Sequence, residues 1–109
     1  MTQQFIEDEK IEWDQIDEGV ERKIMAYDQS LMMVKINFQK GGIGPLHKHP
    51  HVQITHVHSG KFEVSIDGKK QILKSGDAFL VSSNLVHGVL CLEEGILIDT
   101  FSPMREDFL

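Results

Sequence analysis

The chain has 109 residues, 40% of them apolar and 26% charged, which is the composition of one small globular domain and excludes a disordered segment. Its formal charge of −6 and pI near 5.4 argue against nucleic acid as a partner, since neutralising phosphates takes a basic stripe and no basic run exceeds the length of Lys69-Lys70. No stretch is apolar for long enough to span a bilayer, Met1 to Glu9 is polar and acidic, and the single cysteine, Cys91, cannot close an internal disulfide, so a reducing cytoplasm is the expected setting.

No segment has the periodicity of a long helix. Apolar residues alternate over short runs separated by turn residues, which is the pattern of strands. Val20 to Tyr27 and Leu31 to Phe38 flank Asp28-Gln29-Ser30 and form an expected hairpin, with Met32, Val34, Ile36 and Phe38 on one face. Gly41-Gly42-Ile43-Gly44-Pro45 breaks the alternation and is expected as a loop. Val52 to His58 is the next strand, closed by Ser59-Gly60. Phe62, Val64 and Ile66 then alternate up to Asp67-Gly68, a dipeptide suited to a type I′ turn because both central positions need positive φ. Gln71 to Leu73, Ala78 to Val81, Val86 to Leu92 and Ile96 to Phe101 complete the strands, and Pro103 to Leu109 is expected as a short helical turn or irregular chain. Eight or more short strands with frequent turns predict an all-β sandwich or barrel. With no repeat or linker, residues 1–109 read as one domain.

Five of the six histidines fall between positions 47 and 58. In a strand, residues two apart share a face, so His47-Lys48-His49 could present two imidazoles to one cation. His56-Val57-His58 has the same spacing, and spacing alone does not choose between the pairs.

A wider frame distinguishes them. From Gly41, five residues lead to His47-x-His49, three more to Gln53 and six more to Gly60. This resembles the first motif of the cupin superfamily, G-x5-H-x-H-x3,4-E-x6-G, with Gln in place of Glu. Gly76, Ser82, Asn84, His87 and Cys91 fall in the frame of the second motif, G-x5-P-x-G-x2-H-x3-N, keeping Gly and His and losing Pro, Gly and Asn. The motifs occupy residues 41–60 and 76–91. The resemblance implies a single-domain cupin, a double-stranded β-helix or jelly-roll barrel, with one divalent metal on His47, His49, Gln53 and His87. It leaves His51 outside the ligand set and His56 and His58 facing outward or toward a dimer partner; Cys91 reads as a small buried side chain.

Such a donor set, three imidazoles and one amide oxygen, suits Ni, Zn, Mn, Fe or Co better than calcium or magnesium, which take oxygen ligands. Gln in place of Glu leaves the metal's double charge uncancelled. At an effective dielectric of about 20, one unit charge a few ångströms away is worth several kcal/mol, so the centre would be a strong Lewis acid favouring anions.

The C-terminal segment, residues 99–109, adds a second set. Alternation puts Asp99 and Phe101 on one side of their strand, and an acid among Ile96, Leu97 and Ile98 needs a reason. If that side is the interior, Asp99 becomes a candidate acid or base, Phe101 a stacking face and Arg105 a carboxylate clamp. The alternative for Arg105 is an ion pair with Glu106 or Asp107. The ending D-x-F-S-P-x-R-E-D-F-L resembles that of the pectin-degradation-protein family of single-domain cupins, as do His47-x-His49-Pro50-His51-x-Gln53, Asn84-x-x-His87-Gly88 and, more loosely, the stretch around Trp13 and Met32 to Lys40. That resemblance implies ring opening of 4,5-unsaturated monouronates to 4-deoxy-5-keto-uronates, with Asp99, Phe101 and Arg105 as the acting side chains. It implies a small anionic sugar acid as substrate. A homodimer is the expected assembly. The rival readings are a metal-dependent dioxygenase and a non-catalytic cupin that binds a sugar acid.

Overall fold

The computed structural model describes residues 3–109, so Met1 and Thr2 of the polar start lie outside the described residues. Ten antiparallel strands are present: β1 Asp14–Asp17, β2 Val20–Asp28, β3 Leu31–Phe38, β4 Ile43–His47, β5 Val52–Val57, β6 Lys61–Ile66, β7 Lys69–Lys74, β8 Ala78–Val81, β9 His87–Glu93 and β10 Gly95–Ser102. They form two sheets, one in the order β1-β2-β3-β10-β5-β8 and one in the order β4-β9-β6-β7. The all-β jelly-roll expectation is borne out. Single 3-10 turns at Asp8–Lys10 and Glu106–Phe108 flank the strands, and no helix among the described residues is long and apolar enough to cross a membrane.

The core follows from the alternation. Val20, Phe38, Val57, Phe62, Val64, Cys91 and Leu97 are buried as one cluster, with the Phe38 and Phe62 rings edge-on at 5.3 Å. Met32, Val34 and Phe101 form a second cluster, and the two together bury the inward apolar residues while Met33, Ile54 and Leu80 on outward faces stay exposed. Lys23 is buried on the other side of β2, under the N-terminal segment. Its ammonium pairs with Asp8 at 2.9 Å and sits 4.5 Å from the Trp13 ring centre. Asp67 and Gly68 take φ values of 50° and 81°, as the I′ turn between β6 and β7 requires.

Two expectations are corrected. The segment read as a loop over Gly41–Pro45 becomes strand at Ile43, and β4 pairs with β9 through Ile43↔Leu90, Gly44↔Val89 and His47↔His87, with a bulge between Gly44 and His47. β4 is an edge strand, where glycine and proline are tolerated because one side of the ladder has no partner. His47 is the last residue of that strand, so His49 lies beyond it and does not share its pleat. β1, four exposed residues with no apolar alternation to mark them, is a strand the sequence reading did not anticipate.

The approach of β4 to β9 depends on Gly88. A Cβ there would meet the Gly44 carbonyl oxygen at 2.7 Å and the Leu46 nitrogen at 3.1 Å. Gly88→Ala is expected to destabilise the protein by about 1–3 kcal/mol, the usual cost of overpacking, and to move His47 away from His87. Urea unfolding and metal titration of the same sample would read both effects.

Candidate metal centre

Three elements bring the histidines together. His47 at the end of β4 stands opposite His87 at the start of β9, and His49 folds over them from the turn before β5. The ring centres lie 4.3 Å apart for His47 and His87, 4.8 Å for His49 and His87 and 5.4 Å for His47 and His49. One ligating atom from each can be chosen so that all lie within 4.8 Å of one another. This group could hold a metal ion.

The backbone selects which nitrogen is offered. His47 Nδ1–H donates to the Pro45 carbonyl at 2.8 Å, His49 Nδ1–H to that of His51 at 3.0 Å and His87 Nδ1–H to that of Leu85 at 2.9 Å. Each bond fixes the tautomer and leaves Nε2 as a bare lone pair, the usual support for a metal-ligating imidazole. Burial pushes His87 down to about 4, and burial with the nearby Arg105 charge lowers His49. Both rings therefore stay neutral at neutral pH, as ligation requires.

Two contacts then need a cation. His87 Nε2 is buried with no hydrogen-bond partner. His49 Nε2 lies 3.0 Å from Gln53 Oε1, yet with Nδ1 already protonated neither atom carries a hydrogen. Gln53 cannot simply turn its amide over, because its Nε2 donates to Thr55 Oγ1 at 2.8 Å. Thr55 in turn donates to Asp99 Oδ1 at 2.6 Å. This chain is set by strand register: Gln53 and Thr55 are alternate inward residues of β5, and β10 places Phe101 opposite Gln53 and Asp99 opposite Thr55. The donor set fits a divalent first-row ion.

Asp99 is 5% exposed and its carboxyl is pushed up to about 6 by burial, against the opposing pull of Thr55 and Arg105. Phe101 is buried beside it and meets the His49 ring edge-on at 5.7 Å. Asp99, Phe101, Gln53 and His47 line one cavity of about 330 Å³, together with Arg105, Phe108 and Arg22. Arg105 is buried, but its fork is occupied: Nε and Nη2 donate to the two carboxylate oxygens of Asp107 at 3.0 and 2.8 Å. Its guanidinium carbon sits 4.3 Å from the Phe108 ring centre and 5.1 Å from that of Phe101.

The remaining histidines stay out of the cluster. His51 donates from Nε2 to the Met104 carbonyl at 3.1 Å and so holds the C-terminal segment; His56 and His58 are exposed. Sequence reasoning missed Thr55, Phe108 and Arg22. Alternation would have found Thr55, a polar residue between two inward positions of β5, and would have put Arg22 beside Val20 and Ile24.

Metal analysis is expected to give about one ion per chain, with His47→Ala, His49→Ala and His87→Ala each losing it while His56→Ala and His58→Ala retain it. Thr55→Val removes the bond that orients Gln53. It should weaken metal affinity by about 10–100-fold, read by competition with a chromogenic chelator.

Comparisons with known proteins agree with this geometry. A family described as Cupin domain matches residues 34–99. The pectin degradation protein KdgF of Dickeya dadantii strain 3937 is 52% identical over 111 aligned residues, covering all of both chains. The crystal structure of an RmlC-like cupin from Shewanella frigidimarina NCIMB 400 superposes with a TM-score of 0.95 at 41% identity, covering 99% of this chain and 98% of that one. The structure of KdgF from a Halomonas species gives 0.95 at 39% identity, covering 99% and 100%. With the motif frame, the two-sheet barrel and a full-length relative in accord, the chain belongs to the cupin family and, within it, to the pectin degradation proteins of the KdgF type.

Proposed function

We propose that this protein opens the ring of 4,5-unsaturated monouronates to give 4-deoxy-5-keto-uronates. A metal on His47, His49, Gln53 and His87 would supply Lewis acidity toward a sugar oxygen. The reaction adds water across an enol ether, with the proton to C4 and the hydroxyl to C5. The resulting hemiketal then breaks its bond from C5 to the ring oxygen, which leaves a ketone at C5 and the protonated ring oxygen on C1, where the aldehyde hydrate so formed loses water.

The observation that carries this reading is Asp99. A buried carboxyl that exchanges its proton near pH 6, in the same cavity as His47 and Gln53, is suited to delivering and recovering a proton at neutral pH. Thr55 holds one of its oxygens, leaving the other for the sugar. Phe101 offers an apolar face, and Arg105 adds positive charge beside it. The full-length likeness to a pectin degradation protein supports an unsaturated uronate as substrate, since lyases acting on pectin release such sugars.

Proton NMR of purified, metal-loaded protein mixed with an unsaturated monouronate tests the reading. Linear keto product should form well ahead of the protein-free blank; equal rates would overturn it, and oxygen uptake with the same substrate would favour a dioxygenase. Asp99→Asn should lower kcat by about 10²–10⁴-fold, the range of a lost acid–base group. The protonated carboxyl disappears as pH rises through about 6. The rate limited by proton delivery should therefore fall on the alkaline side of that value in the wild type, measured as kcat across pH 5 to 8.

A further inference from the structure

Arg22 is a charged residue on the inward face of β2, between Val20 and Ile24, and it lines the same cavity as His47, Gln53 and Asp99. Its guanidinium carbon lies 3.9 Å from the Phe108 ring centre, against 4.3 Å for Arg105. One aromatic ring thus carries two cations. Only one of them is in a direct ion pair. Arg105 has its fork on Asp107, whereas Arg22 has no ion pair or side-chain hydrogen bond among the described residues. Burial and the charge of Arg105 work against the Arg22 cation, and the more distant carboxylates of Asp107 and of Asp14, its cross-strand partner on β1, only partly offset them. A half-buried guanidinium held by stacking, with its donors unused, is a receptor waiting for an anion. Asp17 also lines the cavity, but it is exposed and its Oδ1 accepts the Glu18 amide N–H.

Resting on the ring-opening function proposed above, we infer that Arg22, steadied by Phe108, receives the carboxylate of the sugar acid and sets the enzyme's preference for uronates over neutral sugars. Asp107 takes the Nε–Nη2 edge of Arg105 and leaves it only the Nη1 side, whereas Arg22 keeps both edges free of side-chain partners and offers the planar pair of donors that a carboxylate fits. The pairing also answers the overall charge of −6, which repels an anion at long range.

Calorimetry with galacturonate and with galactose, which differ at C6, separates recognition from turnover, because neither is a substrate for the ring opening. Metal-loaded wild type, Arg22→Gln and Arg22→Lys are compared, each with a melting curve. Arg22→Gln should weaken galacturonate binding by tenfold or more, Arg22→Lys by less, and neither should change galactose binding. On the unsaturated monouronate, Arg22→Gln should raise KM tenfold or more while kcat falls less than threefold. If Arg22→Gln melts as the wild type and binds galacturonate equally well, the inference is overturned. It is overturned too if acid and neutral sugar weaken in parallel, since that marks a structural role. Where Arg22→Gln does not fold, Arg22→Lys decides: a threefold or greater loss for galacturonate alone supports the site, and unchanged affinity removes it. Wild type that binds galacturonate through Arg22 yet opens no unsaturated uronate would sink the reaction and keep the site. Turnover with an unchanged KM in Arg22→Gln would do the reverse.

Discussion

Across 3.0 Å, His49 Nε2 and Gln53 Oε1 point lone pairs at each other, and much of the site is arranged to keep them there. The imidazole cannot answer by shifting its proton, because Nδ1–H is held by the His51 carbonyl. Taking up a second one is opposed by burial and Arg105, against the pull of the Gln53 and His51 oxygens. The amide cannot rotate without breaking its bond to Thr55. Leaving buried acceptors unsatisfied costs about 1–3 kcal/mol each, and the bare Nε2 of His87 adds a third. A cation among these atoms turns all three losses into bonds. The arrangement suits a bound cation.

What holds the arrangement is backbone rather than side-chain packing. The three Nδ1–H bonds each run to a carbonyl two residues away, so ring orientation is built into the local chain path at Pro45, His51 and Leu85. The edge strand β4 then has to bring His47 against His87, which Gly88 permits by having no side chain where β4 passes. On the other wall, β10 lies between β3 and β5. Its position inside the sheet fixes Asp99 opposite Thr55 to within a residue, because a slip of one would turn Asp99 outward. His47 and His87 on one side and Asp99 on the other are thus anchored in different sheets and are joined through His49, Gln53 and Thr55.

The alternation of β3, β5, β6 and β10 was legible because each buries one face, and the Asp67-Gly68 turn was legible because few residue pairs accept two positive φ values. The frame from Gly41 to Gly60 picked out His47 and His49 over His56 and His58, although the pleat argument behind it does not hold, since His49 lies past the end of β4. Other features were not local. β4 contains Gly44 and Pro45, which signal a loop unless an edge strand is known to be there. Arg22 has the right strand parity, but what makes it part of the site is Phe108, brought back from near the other end of the chain. The occupation of the Arg105 fork by Asp107 depends on the fold of the Glu106–Phe108 turn, and sequence left clamp and ion pair as open alternatives.

The departure from the cupin motif at position 53 has a consequence in hydrogen-bond polarity as well as charge. Thr55 has one hydroxyl proton, and it goes to Asp99; the same oxygen can accept, and it accepts from the Gln53 amide. The chain therefore runs in one direction, from amide to hydroxyl to carboxyl. A glutamate at 53 would have no proton to give when ionised, so two carboxylates would compete for the single Thr55 hydrogen. Either Asp99 would lose the bond that holds it, or the oxygen meant for the metal would be drawn toward Thr55. A second negative charge nearby would also raise the cost of ionising Asp99 further. Glutamine turns a neutral oxygen toward the histidine cluster while its nitrogen organises Thr55 and Asp99 behind it. The substitution that weakens the motif match is the one that links the histidine cluster to the buried carboxyl.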